Sequence, residues 1–161
     1  VPKKLVWNAS ASVPLGLYAI TPVHQLKIGD RVAIDPPEPL AKFLATRGYL
    51  PRGVPLLKTV AALSGQRVCQ IGRTIIVDGS AIGEALERDR LGRELPHWQG
   101  CRRIAADHVF LMNAAVSDSL DGRYFGPISV TAIIGKARPL WTDERSDPRA
   151  TPETSTPQSP F

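Results

Sequence analysis

Val54-Pro55-Leu56-Leu57-Lys58-Thr59-Val60-Ala61-Ala62-Leu63 reads as a β-strand with a two-residue period, since successive side chains of a pleated chain point to opposite faces. In that register Lys58 shares a face with Leu56, Val60 and Ala62, while Leu57, Thr59, Ala61 and Leu63 point the other way. A cation therefore interrupts an apolar face, and two readings fit. An edge-strand lysine discourages aggregation, and its long stem lets the head snorkel to water. A desolvated lysine disfavours its charged form, so its amine falls from ~10.4 toward neutrality and becomes a base; a fall of about 3 pH units corresponds to about 4 kcal/mol of differential solvation.

Outward from this strand, the chain is punctuated by short β signals. Residues 17–21 form a strand, and residues 26–30 make a Gly-Asp turn into the alternating strand 31–35, which Pro36-Pro37 stops. Residues 38–49 carry Leu40, Phe43, Leu44 and Arg47 at i, i+3, i+4 and i+7, with Gly48 as a stop, which predicts a short amphipathic helix. Beyond the lysine strand, 67–71 and 74–77 flank the Gly72-Arg73 punctuation, and the second run ends at Asp78-Gly79. Residues 81–97 are charged and weakly periodic, a surface excursion with a helical turn predicted over 82–88. A segment at 102–104, a buried strand at 109–112 and a β-branched strand at 128–135 complete the list. The fold class is mainly β, antiparallel, built of short strands with one or two short helices. From Trp141 on, Pro, Ser and Thr recur with too little apolar surface to offset ordering entropy, so 141–161 is predicted to be a disordered tail.

Composition narrows the function classes. The 161 residues are one domain by size, and 43% apolar content suffices for a sizeable core. Net charge is +5, but the arginine spots Arg88-Asp89-Arg90 and Arg102-Arg103 are short and have no interleaved aromatics, which argues against nucleic-acid binding. No apolar run approaches the ~20 residues of a membrane-spanning helix. Cys69 and Cys101 are too few and too separated for a zinc site, leaving two buried thiols or one disulfide. His24, His97 and His108 sit in no hydrolase motif and no Gly-x-Ser-x-Gly elbow is present, so a Ser-His-Asp triad is not expected. No cofactor is implied.

Two further boxes stand beside the lysine strand. Asn8-Ala9-Ser10-Ala11-Ser12-Val13-Pro14-Leu15-Gly16-Leu17-Tyr18 holds Ser12 on a segment stiffened toward extended geometry by the following proline. Ser117-Asp118-Ser119-Leu120-Asp121-Gly122-Arg123-Tyr124-Phe125-Gly126-Pro127 is the other. In this order the three boxes resemble the signal peptidase family, most closely its conjugative-transfer branch of TraF-type pilin-processing peptidases, over roughly residues 8–136. Two turns depart from the family pattern: Ser64-Gly65-Gln66 replaces Pro-Gly-Asp after the lysine strand, and Gly122 stands where a serine often follows the acid.

The resemblance implies a signal-peptidase-like β domain and a serine-lysine dyad, in which Lys58 takes the proton of Ser12 and the serine oxygen forms an acyl-enzyme. It implies an oxyanion site made by the Ser12 backbone N–H and the Ser10 hydroxyl, a Ser119 that orients the lysine, and Asp121 and Arg123 as supporting residues. The residues alone also allow a loop serine at 10, a turn aspartate at 121 and a surface cation at 123. The implied substrate is precursor pilin of a conjugative type IV secretion system, the acyl-enzyme being resolved by water or by the substrate's own amino terminus. Leu15 and Leu17 are expected along a shallow cleft for an extended peptide. The expected organisation is a monomeric peptidase domain over 1–140 at the periplasmic face of the inner membrane, with 1–7 as the juncture to an N-terminal anchor. In that oxidising compartment a Cys69–Cys101 disulfide is favoured and contributes roughly 3 to 4 kcal/mol in the chain-entropy model. Readings from other classes are a self-cleaving regulator of the repressor type, which shares the dyad, and a non-catalytic periplasmic scaffold of the secretion complex.

Overall fold

The computed structural model describes residues 4–8 and 12–143. Among them, eleven strands form two antiparallel sheets. The strands are β1 (Lys4–Asn8), β2 (Gly16–Thr21), β3 (Arg31–Ile34), β4 (Leu56–Ala62), β5 (Arg67–Ile71), β6 (Thr74–Val77), β7 (Ser80–Glu84), β8 (Gly100–Arg103), β9 (His108–Leu111), β10 (Ile128–Ser129) and β11 (Ile133–Thr142). Helix α1 spans Leu40–Thr46 and α2 spans Gly122–Phe125. The larger sheet runs β1-β2-β11-β3-β4-β9-β10 and the smaller runs β7-β6-β5-β8. The mainly β, antiparallel class read from the sequence is the class observed.

Burial explains the arrangement. Val6, Val13, Tyr18, Ile20, Ala33, Leu57 and Ala137 pack into one cluster under β1, β2, β11, β3 and β4. Val32, Ile34, Val60, Val109 and Leu111 form another under β3, β4 and β9. A third, built on Ala62, Val68, Ile75, Phe110 and Met112, joins the two sheets. At roughly 1.5–3 kcal/mol for each fully buried aliphatic side chain, these clusters are the main force holding the β4 lysine strand in place.

Several elements depart from the sequence reading. Residues 82–88 are not a helical turn: Ser80–Glu84 is β7, paired with β6 through Val77↔Ser80. The cause is the Asp78-Gly79 turn, both residues of which have positive φ, 45° and 84°; that geometry returns the chain directly against the preceding strand. The expected strand 128–135 is broken by a single 3₁₀ turn at Val130–Ala132, where the Ser129 side chain accepts from the Thr131 N–H. β11 continues through Thr142, past the start of the expected tail, because Trp141 pairs with Leu17 and stacks on Trp7 with ring centroids 5.9 Å apart. Residues 144–161 lie outside the described residues. The segment expected as a juncture supplies β1, which pairs with β2 from Lys4↔Ile20 to Asn8↔Gly16.

Candidate active site

β4 lies between β3 and β9, which removes the edge-strand reading of Lys58. Lys58 pairs with Val32 of β3 and is only 4% exposed. Taking an ammonium out of water favours its neutral form, and burial lowers the Lys58 amine from 10.5 to about 8. The Asp121 carboxylate pulls it upward and the Arg123 guanidinium pushes it down, both less strongly than burial. At neutral pH a minority of the molecules therefore carry an uncharged amine. Its Nζ donates to Ser119 Oγ at 2.9 Å.

The segment after β9 builds the surroundings of that amine. Asp121 caps α2, accepting from the Arg123 backbone N–H at 3.2 Å, and also accepts from the Asn113 backbone N–H at 2.9 Å. Arg123, 1% exposed, closes a bidentate pair on Asp121, Nε to Oδ1 at 2.9 Å and Nη2 to Oδ2 at 2.8 Å. Its remaining donors reach backbone carbonyls, the shortest being Val116 O at 2.8 Å. A buried pair of this kind is tolerable only when both partners are fully hydrogen-bonded, and here the arginine also ties 113–119 into a fixed loop. The surface-cation reading of Arg123 and the simple turn reading of Asp121 are thus replaced by a buried ion pair. Gly122 has its own reason: a Cβ there would lie 2.5 Å from the Phe110 ring and 2.7 Å from Leu111 O.

Asn113 escaped the sequence reading, in which it is merely a polar residue after an apolar strand. It is buried, accepts the Thr59 N–H on Oδ1 at 3.0 Å and donates from Nδ2 to Leu57 O at 3.4 Å. It thereby clamps β4 on both sides of Lys58 and holds the Ser119 loop in register with it.

Ser12 is half-buried between β1 and β2. The residues after it are pinned: Asn8 Nδ2 donates to Val13 O and Pro14 O at 3.3 and 3.1 Å, and Tyr18 OH donates to Pro14 O at 2.7 Å. Ser12 and Lys58 line one cavity of about 380 Å³, with Leu56, Val116 and Leu120 among its walls. Ser12 also borders a second cavity of about 370 Å³ whose walls include Val13, Ile28, Val60 and Met112. Among the described residues no histidine lines either cavity. Ser10 lies outside the described residues. Cys69 and Cys101 sit in the smaller sheet, where the β5–β8 register sets them opposite each other and a disulfide joins them. Of the residues singled out from sequence, Lys58, Ser119, Asp121 and Arg123 form one buried network, and Ser12 shares a cavity with it. This network holds the Lys58 amine against the Ser119 hydroxyl, on a cavity that Ser12 also lines; a serine nucleophile needs such a base within reach.

Comparison with known proteins adds the following. A family model described as signal peptidase, peptidase S26, matches residues 3–141. A probable conjugal transfer protein TraF of Sinorhizobium fredii (strain NBRC 101917 / NGR234) is 39% identical over 145 residues, covering 84% of this chain and 76% of that protein. A conjugal transfer protein TraF of Agrobacterium tumefaciens (strain 15955) is 36% identical over 154 residues, covering 84% and 81%. The crystal structure of a signal peptidase I from Enterococcus faecalis V583 superposes with a TM-score of 0.42 at 17% identity, covering 71% of this chain and 97% of that one.

Proposed function

This chain belongs to the signal peptidase family, peptidase S26, and from that premise we propose that it is a serine endopeptidase of conjugative transfer, with Ser12 as nucleophile, Lys58 as general base and precursor pilin as substrate. The observation that carries the reading is the buried Lys58 amine, lowered to about 8 and opening on the cavity that Ser12 lines. TraF conjugal transfer proteins among its relatives supply the biological setting.

The chemistry follows from the protonation states. Neutral Lys58 accepts the Ser12 proton as the oxygen attacks a peptide carbonyl, and the resulting ammonium returns that proton to the leaving amine. Ser119 orients the amine through the 2.9 Å hydrogen bond. Asp121 and Arg123 act at one remove: the bidentate guanidinium occupies the carboxylate, so Asp121 raises Lys58 less than an unpaired acid would. The Ser12 backbone N–H and the Ser10 hydroxyl are proposed as the oxyanion donors. The acyl-enzyme is resolved by water, releasing an acid, or by the amino terminus of the pilin, giving a cyclic product.

We also propose that residues 1–140 act at the periplasmic face of the inner membrane. Among the described residues no helix is long and apolar enough to cross a membrane; a membrane anchor preceding β1 in the intact protein is part of this proposal. The test is processing of a co-expressed pilin precursor by Ser12→Ala and Lys58→Ala variants. Each is expected to abolish processing, and unchanged processing in either defeats the dyad.

A further inference from the structure

One side of the Ser12–Lys58 cavity is built by residues that the dyad does not use. Residues 86–95 fold back on themselves: Leu95 N donates to Glu87 O at 2.9 Å and Asp89 N to Arg93 O at 2.9 Å. The centre of this loop is the Asp89 side chain, 6% exposed. Its Oδ1 accepts from the Leu91 and Arg93 backbone N–H groups, both at 2.9 Å. Its Oδ2 accepts from Arg93 Nε at 2.7 Å and from the Tyr49 hydroxyl. Burial works against the charged form of Asp89, yet these hydrogen bonds outweigh it and hold the carboxyl well below the usual range.

The same cluster ties the loop to the segment after α1. Arg93 Nη2 donates to Arg47 O at 3.2 Å and Arg47 Nη1 to Glu94 O at 2.7 Å. The Arg93 guanidinium also lies 5.2 Å from the Tyr49 ring centre. On its far side the loop reaches the Ser119 segment, where Arg90 Nε donates to Asp118 Oδ2 at 2.6 Å. The charged groups of this wall are thus engaged with each other, which disfavours a role as an anion or cation site. The loop lines the cavity with Leu86, Leu91 and Leu95 beside Asp89, Arg90 and Arg93; with those charged groups engaged with each other, the leucines are the apolar surface left to a ligand, and Leu91 is 76% exposed. An exposed leucine on a loop locked by so many polar contacts is suited to cover apolar surface on something that binds there.

We propose that the Tyr49–Asp89–Arg93 latch positions residues 86–95 as the substrate-facing wall of the cavity, with Leu91 receiving an apolar side chain of an extended peptide. These are positioning and specificity residues that set affinity for the polypeptide, leaving the chemistry at Ser12 alone. The inference rests on the peptidase reading above.

The test compares wild type with Tyr49→Phe, which removes only the hydroxyl and keeps the ring, and with Leu91→Ala, at an exposed position where folding is not at stake. Two probes are used: an internally quenched decapeptide spanning the processing site of the cognate pilin precursor, and a small β-lactam as a serine-acylating agent much shorter than the peptide. Each variant is expected to raise KM for the peptide about tenfold, with kcat within about twofold and the pH profile of kcat unmoved. Acylation by the β-lactam is expected at the wild-type rate. Unchanged KM in both variants, or a fall in kcat with a displaced pH profile, overturns the latch while leaving the peptidase reading intact. Failure of wild type to cleave the peptide overturns the peptidase reading, and the latch with it.

Discussion

Replacing Lys58 with methionine is expected to make the protein more stable at neutral pH while removing its activity. An unfolded lysine titrates near 10.5 and Lys58 at about 8, so between these values the unfolded chain binds the proton and the folded chain releases it. Stability therefore rises as pH climbs from about 8 to 10.5, and below about 8 the folded state carries the full cost of a buried ammonium. That cost is about 3 kcal/mol at about 1.4 kcal/mol per pH unit. Methionine removes it, fills a similar volume, and forfeits the hydrogen bond to Ser119, worth about 1 kcal/mol. A net gain of roughly 2 kcal/mol is expected at pH 7, and at pH 10, where less than about 1 kcal/mol of the ammonium penalty remains, the gain disappears. Urea unfolding of the two proteins at pH 7 and pH 10 measures it. A Lys58→Met protein less stable than wild type at pH 7, or a difference that does not change between the two pH values, refutes a desolvated lysine.

If Lys58 is the base, kcat/KM rises with pH along a single limb centred near 8, measured with a quenched peptide; a limb near the usual lysine value contradicts the assignment. Asp121→Asn removes the charge that raises Lys58, so any residual activity shows that limb displaced to lower pH. The same change leaves Arg123 buried and unpaired, at a cost of about 3–5 kcal/mol in denaturant unfolding. Gly122→Ser puts a Cβ against Phe110 and Leu111 O and is expected to cost about 1–3 kcal/mol by overpacking. A stability equal to wild type implies room for a serine there. Cys69→Ala/Cys101→Ala releases a cross-link over 32 residues and is expected to lower stability by about 3–4 kcal/mol. A loss under about 1 kcal/mol means the smaller sheet holds β8 without it.

The parts of the fold legible in sequence were those where one local pattern decides the outcome. Two-residue alternation around Lys58 marks β4, and Leu40, Phe43 and Leu44 at i, i+3 and i+4 mark α1, trimmed to Leu40–Thr46. Residues 82–88 were misread because their weak helical spacing is overruled by pairing with β6, which a tight turn two residues upstream imposes. The neutral amine was legible as a possibility only, since alternation cannot tell an edge strand from a central one. Placement of β4 between β3 and β9 decides that, and it depends on residues far away in the chain. The Ser119, Asp121 and Arg123 roles were legible only through family resemblance. Asn113 and Asp89 were not legible at all, because a polar residue's worth lies in which backbone groups arrive beside it.

In the larger sheet, β11 inserts between β2 and β3, so the last strand among the described residues is the seam between the half that carries Ser12 and the half that carries Lys58. A polypeptide still emerging during synthesis, with residues up to about 130 in hand, has no continuous sheet across that seam. Under the proposed dyad, the strands that flank Ser12 and the strand that carries Lys58 join in one continuous sheet only once β11 is in place, so activity is expected to arrive with the last residues of that strand.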